Sequence, residues 1–104
     1  MLPFCSYADQ NALETKITEV LVNGAKDSAN QGTSCIFVST PVNTACENGA
    51  IAIQNNNKEL LASALTAKAT NSTAWIYYDI VPGGAFHCPG RAMTSCSVIS
   101  IGIR

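Results

Sequence analysis

Five cysteines in a chain of 104 residues constrain the fold of this protein more than any other feature of its sequence. A domain of this size removes only about 65% of its unfolded surface from water, so its core is thin and covalent cross-links matter for stability. The cysteines form no Cys-x-x-Cys pair, which disfavours a zinc site and a redox motif. Disulfide bonds are the leading interpretation, and they predict a secreted or periplasmic protein. The cysteines are Cys5, Cys35, Cys46, Cys88 and Cys96.

The pairing of these cysteines can be proposed from their spacing. We expect Cys35 to bond to Cys46 and Cys88 to bond to Cys96, because each bond would close a short loop. A loop of about a dozen residues corresponds to a stabilisation of roughly 3 kcal/mol. Cys5 is then left over, either free or bonded to another chain. With one cysteine unpaired, the five allow fifteen arrangements, so this pairing is one hypothesis among several.

The charge and the hydropathy of the chain argue against several kinds of partner. The formal net charge is −1 and only 12% of the residues are charged. No basic surface is therefore expected that could bind the phosphates of nucleic acid or an anionic membrane. No apolar run approaches the length of about 18 residues that a membrane-spanning helix needs, so we expect no membrane insertion. Polarity comes instead from nine Ser, nine Thr and nine Asn, neutral groups that suit hydroxyl-rich ligands.

Five runs of apolar and β-branched residues, separated by turn residues, predict five strands. The runs cover residues 16–22, 34–38, 50–53, 74–78 and 97–103. The stretch from Asp9 to Val22 also fits one face of a helix. Because Ile17, Thr18 and Val20 favour extended backbone, we expect a loop or a single turn followed by a strand in this stretch.

One helix is predicted between the third and fourth strands, over Lys58–Thr70. Asn56 can cap its first turn, while the side chain of Glu59 reaches back to the Asn56 backbone N–H. Leucines and alanines follow at helical spacing, and Asn71 is a natural end. The helix is rich in alanine, so another protein surface could approach it closely.

The order strand, strand, strand, helix, strand, strand is typical of the oligonucleotide/oligosaccharide-binding (OB) fold. We therefore expect a single, mainly β domain over residues 1–104, an OB-fold-like five-stranded barrel with one α-helix between strands 3 and 4. An unclosed five-stranded sandwich with a covering helix has the same element order, and it stays open as an alternative.

Several short motifs resemble one family of proteins. They are Ile17-Thr18-Glu19, Ser34-Cys35-Ile36, Ala45-Cys46, the helical run 60–70 and Trp75-Ile76-Tyr77-Tyr78-Asp79. Over roughly residues 16–80, the chain resembles the B subunits of subtilase cytotoxin and their pertussis-like relatives. In that family a disulfide links the second strand to the start of the third, a helix follows, and a strand with an Ile-Tyr-Tyr-acidic motif comes next.

The resemblance implies a secreted bacterial lectin, a toxin B subunit that assembles as a homo-oligomer. It implies a pentamer, an A subunit as partner, and binding to sialylated or related glycans of host cells. The binding tyrosine of the family is the second one of the Ile-Tyr-Tyr motif, which corresponds to Tyr78. The binding serine of the family aligns near Leu13, where Ser6 and Asp9 are the polar candidates.

The aromatic cluster of the sequence lies in the fourth predicted strand. Trp75 and Tyr77 share one face of a strand, whereas Ile76 and Tyr78 share the other, so one of the two pairs should enter the core. In one interpretation both tyrosines only pack. In the other, Tyr78 exchanges hydrogen bonds with a sugar. If the faces are reversed, an exposed Trp75 stacks on a pyranose ring.

An enzyme is the weakest interpretation of this sequence. His87 beside Cys88 could favour a thiolate, but adjacent residues of an extended chain point to opposite sides, and a bonded Cys88 has no thiol. Metal binding by Cys88, His87 and Cys96 would lack a fourth ligand. The Gly83-Gly84 loop lacks the helix and the lysine of a phosphate-binding loop. We expect a protein without catalytic residues, metal or cofactor.

Two functions therefore remain. The first is a carbohydrate-binding protein whose glycan-binding residues are Tyr78, Asp9, Ser6 and Trp75. The second is a secreted structural or protein-binding module, an inhibitor or an assembly partner, that binds no glycan.

A count of thiols tests the disulfide interpretation. The denatured, unreduced protein should contain at most one free thiol by reaction with a chromogenic thiol reagent, because four of the five cysteines are expected to be bonded. Three or more free thiols would contradict the disulfides and support the cysteine-dependent enzyme.

Overall fold

The computed structural model describes residues 11–22, 32–54, 57–81, 83, 86–88 and 93–104, and it is mainly β with one five-stranded sheet and one α-helix. In chain order the elements are β1 (Asn11–Leu21), β2 (Thr33–Val38), β3 (Ile51–Gln54), α1 (Lys58–Thr70), β4 (Thr73–Ile80), β5 (Phe86–His87), β6 (Met93–Thr94) and β7 (Cys96–Ile103). A short 3₁₀ turn, Glu47–Gly49, precedes β3. The five predicted strands and the predicted helix are confirmed.

The five long strands close on themselves. β1 pairs antiparallel with both β2 and β4, and β4 pairs antiparallel with β7. β2 pairs antiparallel with β3, and β3 meets β7 in a parallel pair. The hydrogen-bonded order is therefore β1-β2-β3-β7-β4 and returns to β1. β5 and β6 form a separate two-stranded hairpin in the connection from β4 to β7.

The first strand is longer than its sequence predicts. A loop or turn was expected before residue 16, but β1 already begins at Asn11, because the stretch Asn11–Lys16 pairs with β4 from Tyr78 to Thr73. Leu13, Thr15 and Ile17 alternate with exposed residues along this stretch. Pairing with a neighbouring strand has thus extended a segment whose local pattern was ambiguous.

The helix has the predicted bounds. It begins at Lys58 with Asn57 as the N-cap residue, without a side-chain capping bond; the predicted cap Asn56 lies outside the described residues. It ends where Asn71 adopts the left-handed conformation, with φ 54°, and its backbone N–H donates to the carbonyls of Ala67 and Lys68. Ala64 and Ala67 are buried against the inside of the closed sheet.

The main core lies inside the closed sheet. It is built from branched aliphatic side chains that alternate along the strands, together with the buried helix alanines. The fully buried isoleucines are Ile36, Ile51, Ile53 and Ile76.

A second apolar cluster lies on the outer side of β2 and β3. Cys35, Ala50 and Ala52 are completely buried there, although they point away from the main core. Phe86 and Cys88, from the connection between β4 and β7, pack against them. Phe86 and Cys88 therefore cover part of the outer face of β2 and β3, and we call the described residues of this connection, 81, 83, 86–88 and 93–95, the covering segment.

One disulfide joins the covering segment to β2, and the other joins the start of β7 to the connection between β2 and β3. Cys35 is bonded to Cys88 and Cys46 is bonded to Cys96, with Cα atoms 5.5 Å and 5.2 Å apart. The four cysteines predicted to form disulfides do so, but the predicted pairing was wrong. Cys35 belongs to the outer cluster and Cys46 to the main core, so the two side chains lie on opposite sides of the sheet. Cys5 lies outside the described residues.

Polar contacts hold the C-terminal part of the covering segment. The Glu47 carboxylate accepts hydrogen bonds from the backbone N–H of Ser95 at 2.7 Å and from its hydroxyl at 3.2 Å. The Thr94 hydroxyl donates to the buried carbonyl of Ala50 at 2.6 Å. The pKa of Glu47 lies below its ordinary value, because its own backbone N–H and then the Ser95 side chain bond to the ionised carboxylate.

Tryptic digestion under non-reducing conditions distinguishes the two pairings. Cleavage after lysine and arginine places Cys35 and Cys46 together on fragment 27–58, Cys88 on 69–91 and Cys96 on 92–104. The pairing in the structure should therefore give one species in which all three fragments are linked, seen by mass spectrometry.

The competing pairing gives a different pattern from the same digest. Bonds between Cys35 and Cys46 and between Cys88 and Cys96 would release fragment 27–58 alone and join 69–91 to 92–104. That pattern would contradict the structure. Blocking the free thiols before digestion prevents disulfide exchange, because exchange needs a thiolate.

Candidate functional site

The structure describes two of the four residues predicted to bind glycan. Tyr78 and Trp75 both lie on β4, on opposite faces of the strand. Ser6 and Asp9 lie outside the described residues, and no geometry is given for them. The predicted alternation is confirmed, because Ile76 and Tyr78 are buried whereas Tyr77 is exposed and Trp75 partly so.

Tyr78 is a core residue and not a surface residue. Its side chain is only 2% exposed and belongs to the main core. Its hydroxyl accepts a hydrogen bond from the backbone N–H of Asn43 at 3.0 Å. The Asn43 side chain in turn donates to Asn11 at 3.4 Å. Tyr78 thus fixes the connection between β2 and β3, and it offers no surface to a sugar in this arrangement.

The outer side of β4 carries the two remaining aromatic residues of the motif. The ring centroids of Trp75 and Tyr77 are 6.1 Å apart, with the planes tilted by 58°. Tyr77 is 40% exposed. This orientation of β4 favours the second of the two sequence hypotheses, in which a sugar stacks on Trp75 and does not bind Tyr78.

Small side chains flank both rings across the sheet. Tyr77 lies between Ala12 of β1 and Ser100 of β7, and Trp75 is paired on the β7 side with Gly102. A methyl group added at Gly102 would approach the Trp75 Cβ to 3.8 Å, so the glycine leaves the tryptophan uncovered on that side. We call this surface the outer aromatic face. It consists of Ala12, Glu14, Trp75, Tyr77, Ser100 and Gly102.

Opposite charges lie at the Trp75 end of the outer aromatic face. The guanidinium of Arg104 is 5.8 Å from the centroid of the Trp75 ring, within the range of a cation–π contact. The same group is 3.7 Å from the Glu14 carboxylate, and both side chains are about half exposed or more, at 61% and 47%. Exposed ion pairs of this kind contribute little to stability, so both groups can exchange this contact for contacts with a ligand.

An acidic residue lies at the other end of the same face. Asp79 follows Tyr77 by two residues on β4 and is paired with Ser97 of β7. One of its carboxylate oxygens, Oδ1, is inaccessible to solvent and has no hydrogen-bond partner within the described part of the chain. In the sequence, Asp79 was singled out only as the last residue of the motif that resembles the toxin B subunits. The alternation of residues 75, 77 and 79 was the signal that could have placed it beside the aromatic rings.

A groove is found elsewhere, between the start of α1 and β7. Its volume is about 720 Å³. It is lined by Asn57, Lys58, Glu59, Leu60, Val98 and Ile99. Among these described lining residues there is no aromatic ring and none of the residues predicted to bind glycan.

Other sequence hypotheses can be compared with the structure. Cys88 is bonded to Cys35, so it has no thiol that His87 could activate. Within the described ranges, no group of three or more His, Cys, Asp or Glu side chains is arranged to hold a metal ion. None of the helices found there has the length and apolar character needed to cross a membrane.

Comparison with protein-family models, with curated proteins and with solved structures finds no match to this chain.

Replacing Tyr78 by phenylalanine tests its structural role. The Tyr78→Phe change removes the acceptor of the Asn43 backbone N–H, so the free energy of unfolding should fall by about 1 kcal/mol in urea denaturation. Tyr77→Phe is the matched control and should change the free energy of unfolding by less than about 0.5 kcal/mol, because Tyr77 is exposed. Equal effects of the two changes would contradict the assignment of Tyr78 to the core.

Proposed function

We propose that this protein is an extracytoplasmic, lectin-like carbohydrate-binding protein, and that the outer aromatic face is its binding site. The observation that carries the proposal is the pair Trp75 and Tyr77, two aromatic rings on the outer side of a strand with the small residues Ala12, Ser100 and Gly102 beside them. Side chains of this size leave Tyr77 open to a ligand, and a ligand stacked on Trp75 would replace the contact of Arg104 with that ring.

Sugar rings suit such a surface for a physical reason. The face of an aromatic ring carries partial negative charge, and the C–H groups on one face of a pyranose carry partial positive charge. Stacking therefore combines apolar burial with a weak electrostatic attraction. Because the rings belong to a strand with hydrogen-bonded neighbours on both sides, little conformational freedom is lost when a ligand binds.

Polar groups around the rings supply hydrogen bonds for sugar hydroxyls. Ser100 lies beside Tyr77, and Glu14 lies beside Trp75. Arg104 adds donors at the same end. A mostly apolar surface with a few fixed polar groups is the usual composition of a small-molecule site.

The disulfides and the strand order also support a carbohydrate-binding protein outside the cytoplasm. Two disulfides are typical of the cell exterior or the periplasm, although they do not distinguish between them. The strand order, the parallel pair between β3 and β7, and α1 between β3 and β4 are the features expected of an OB-type barrel.

Assembly into a pentamer with an A subunit remains part of the proposal. Its support is a pair of exposed apolar side chains, Leu65 on α1 and Ile99 on β7, each 43% exposed. The exposed alanines Ala62 and Ala69 also lie on α1. The same side chains support the second function, a structural or protein-binding module without glycan binding, since exposed apolar surface often marks a protein interface.

A glycan array tests the proposed function. The wild-type protein should bind a subset of glycans, and Trp75→Ala and Tyr77→Ala should each lower the affinity at least tenfold, because each removes a stacking surface. The array should include neutral, amino and sialylated glycans, and dissociation constants of the binders should be measured by calorimetry.

Two variants serve as controls in this experiment. Val22→Ala shortens a side chain just after β1 whose exposure, 52%, is comparable to the 40% of Tyr77, and it should leave the affinity unchanged. Tyr78→Phe should also retain the affinity, because Tyr78 is buried. If the wild type binds no glycan, or if Trp75→Ala and Tyr77→Ala bind as the wild type does, the lectin proposal fails and the protein-binding module is favoured.

A further inference from the structure

We propose that Asp79 determines which sugars the outer aromatic face accepts, and that it selects an uncharged sugar through hydrogen bonds from ligand hydroxyls to its carboxylate. This inference rests on the proposed function. It assigns a neutral terminal sugar where the family resemblance implies a sialylated one.

The position of Asp79 brings its carboxylate to the edge of the aromatic surface. Residues two apart on a strand point to the same side and lie about 6.5 to 7 Å apart, so Asp79 follows Tyr77 at that distance. A sugar stacked on Tyr77 would therefore have its ring hydroxyls within reach of Asp79.

Asp79 also lies at the boundary between the open and the covered parts of the outer surface. Its partner across the sheet, Ser97, is itself paired with Ala52, and Ala52 is completely buried in the outer cluster beneath the covering segment. The aromatic face thus ends at Asp79, where the covered surface begins, and a ligand on Tyr77 would meet the carboxylate as the end of its site.

Within the described residues, one carboxylate oxygen of Asp79, Oδ1, has no hydrogen-bond partner. A carboxylate only accepts hydrogen bonds, and an acceptor that is shielded from water without a partner is energetically unfavourable. Oδ1 is in this state within the part of the chain that the structure describes. Oδ1 itself is closed to a ligand, but Asp79 as a whole is only partly buried, so a ligand hydroxyl could donate to the accessible part of the carboxylate. A second carboxylate at the same place would add repulsion between like charges.

The cation in contact with the outer aromatic face, Arg104, lies at the end of that face opposite to Asp79. Arg104 lies over Trp75, and Trp75 is four residues, or about 13 Å, from Asp79 along β4. Arg104 is also paired with Glu14. The described residue paired with Asp79 across the sheet, Ser97, carries no charge. From this described neighbour an acidic sugar would gain no cation in return for its lost hydration, which is how a site rejects a competing ligand.

The experiment compares matched neutral and acidic ligands. A glycan that binds on the array is paired with its analogue in which the terminal hexose is replaced by the corresponding uronic acid, and both dissociation constants are measured by calorimetry. The wild type should bind the neutral member at least tenfold more tightly. Asp79→Asn should weaken binding of the neutral glycan about tenfold, because a hydrogen bond to a charged acceptor is lost, and should bring the two affinities within about threefold of each other.

Further variants separate selection by Asp79 from a general structural role. Ser97→Ala changes the residue opposite Asp79 and should keep the wild-type ratio of neutral to acidic affinity. Asp79→Ser removes the charge and leaves a smaller side chain. It should reduce the ratio of neutral to acidic affinity as much as Asp79→Asn does. A change that only disturbed the fold would lower both affinities together and leave their ratio unchanged.

The outcomes distinguish this inference from the proposed function. Glycan binding that depends on Trp75 and Tyr77 but keeps its neutral-to-acidic ratio in Asp79→Asn overturns the role of Asp79 alone. A wild-type preference for the acidic analogue also overturns it. The absence of glycan binding by the wild type overturns the proposed function, and this inference with it.

Discussion

The burial of both faces of β2 and β3 is the constraint on which the rest of the structure depends. One face belongs to the main core, and the other lies under the covering segment and is bonded to it through Cys35 and Cys88. The two disulfides span 53 and 50 residues, and the loop-entropy relation gives roughly 4 kcal/mol for each. Small domains have a net stability of about 5 to 15 kcal/mol, so the bonds supply a large part of what keeps this layer in place.

This arrangement divides the outer surface of the closed sheet into two parts. Over β2 and β3 the covering segment buries apolar side chains, and over β1, β4 and β7 the surface is open to solvent. The outer aromatic face occupies the open part. Asp79 lies on the boundary, since its partner Ser97 pairs with the buried Ala52. The position of the covering segment therefore sets the limit of the surface on which we propose the binding site.

Much of this fold could be predicted from local pattern, whereas the contacts between distant residues could not. The five apolar runs, the end of α1 at Asn71 and the alternation along β4 depend on neighbours in sequence, and the structure agrees with them. The disulfide pairing depends on which side of the sheet each cysteine faces. The run Ser34–Val38 is almost continuously apolar, which is typical of a strand buried on both sides, and this was the signal for a second layer. The small neighbours of Trp75 and Tyr77 follow from strand register, which the sequence does not encode locally.

The two faces of β4 have different physical roles, and each explains the chemistry of its residues. Inside, Ile76 and Tyr78 are held by packing, and the Tyr78 hydroxyl fixes the β2 to β3 connection through Asn43. Outside, Trp75 and Tyr77 are carried by this strand, with the small residues Ala12, Ser100 and Gly102 beside them. An aromatic residue is held in position at a surface only when the strand beneath it is fixed. The burial of Ile76 and Tyr78 thus fixes the strand that carries Trp75 and Tyr77, the two rings of the proposed binding site.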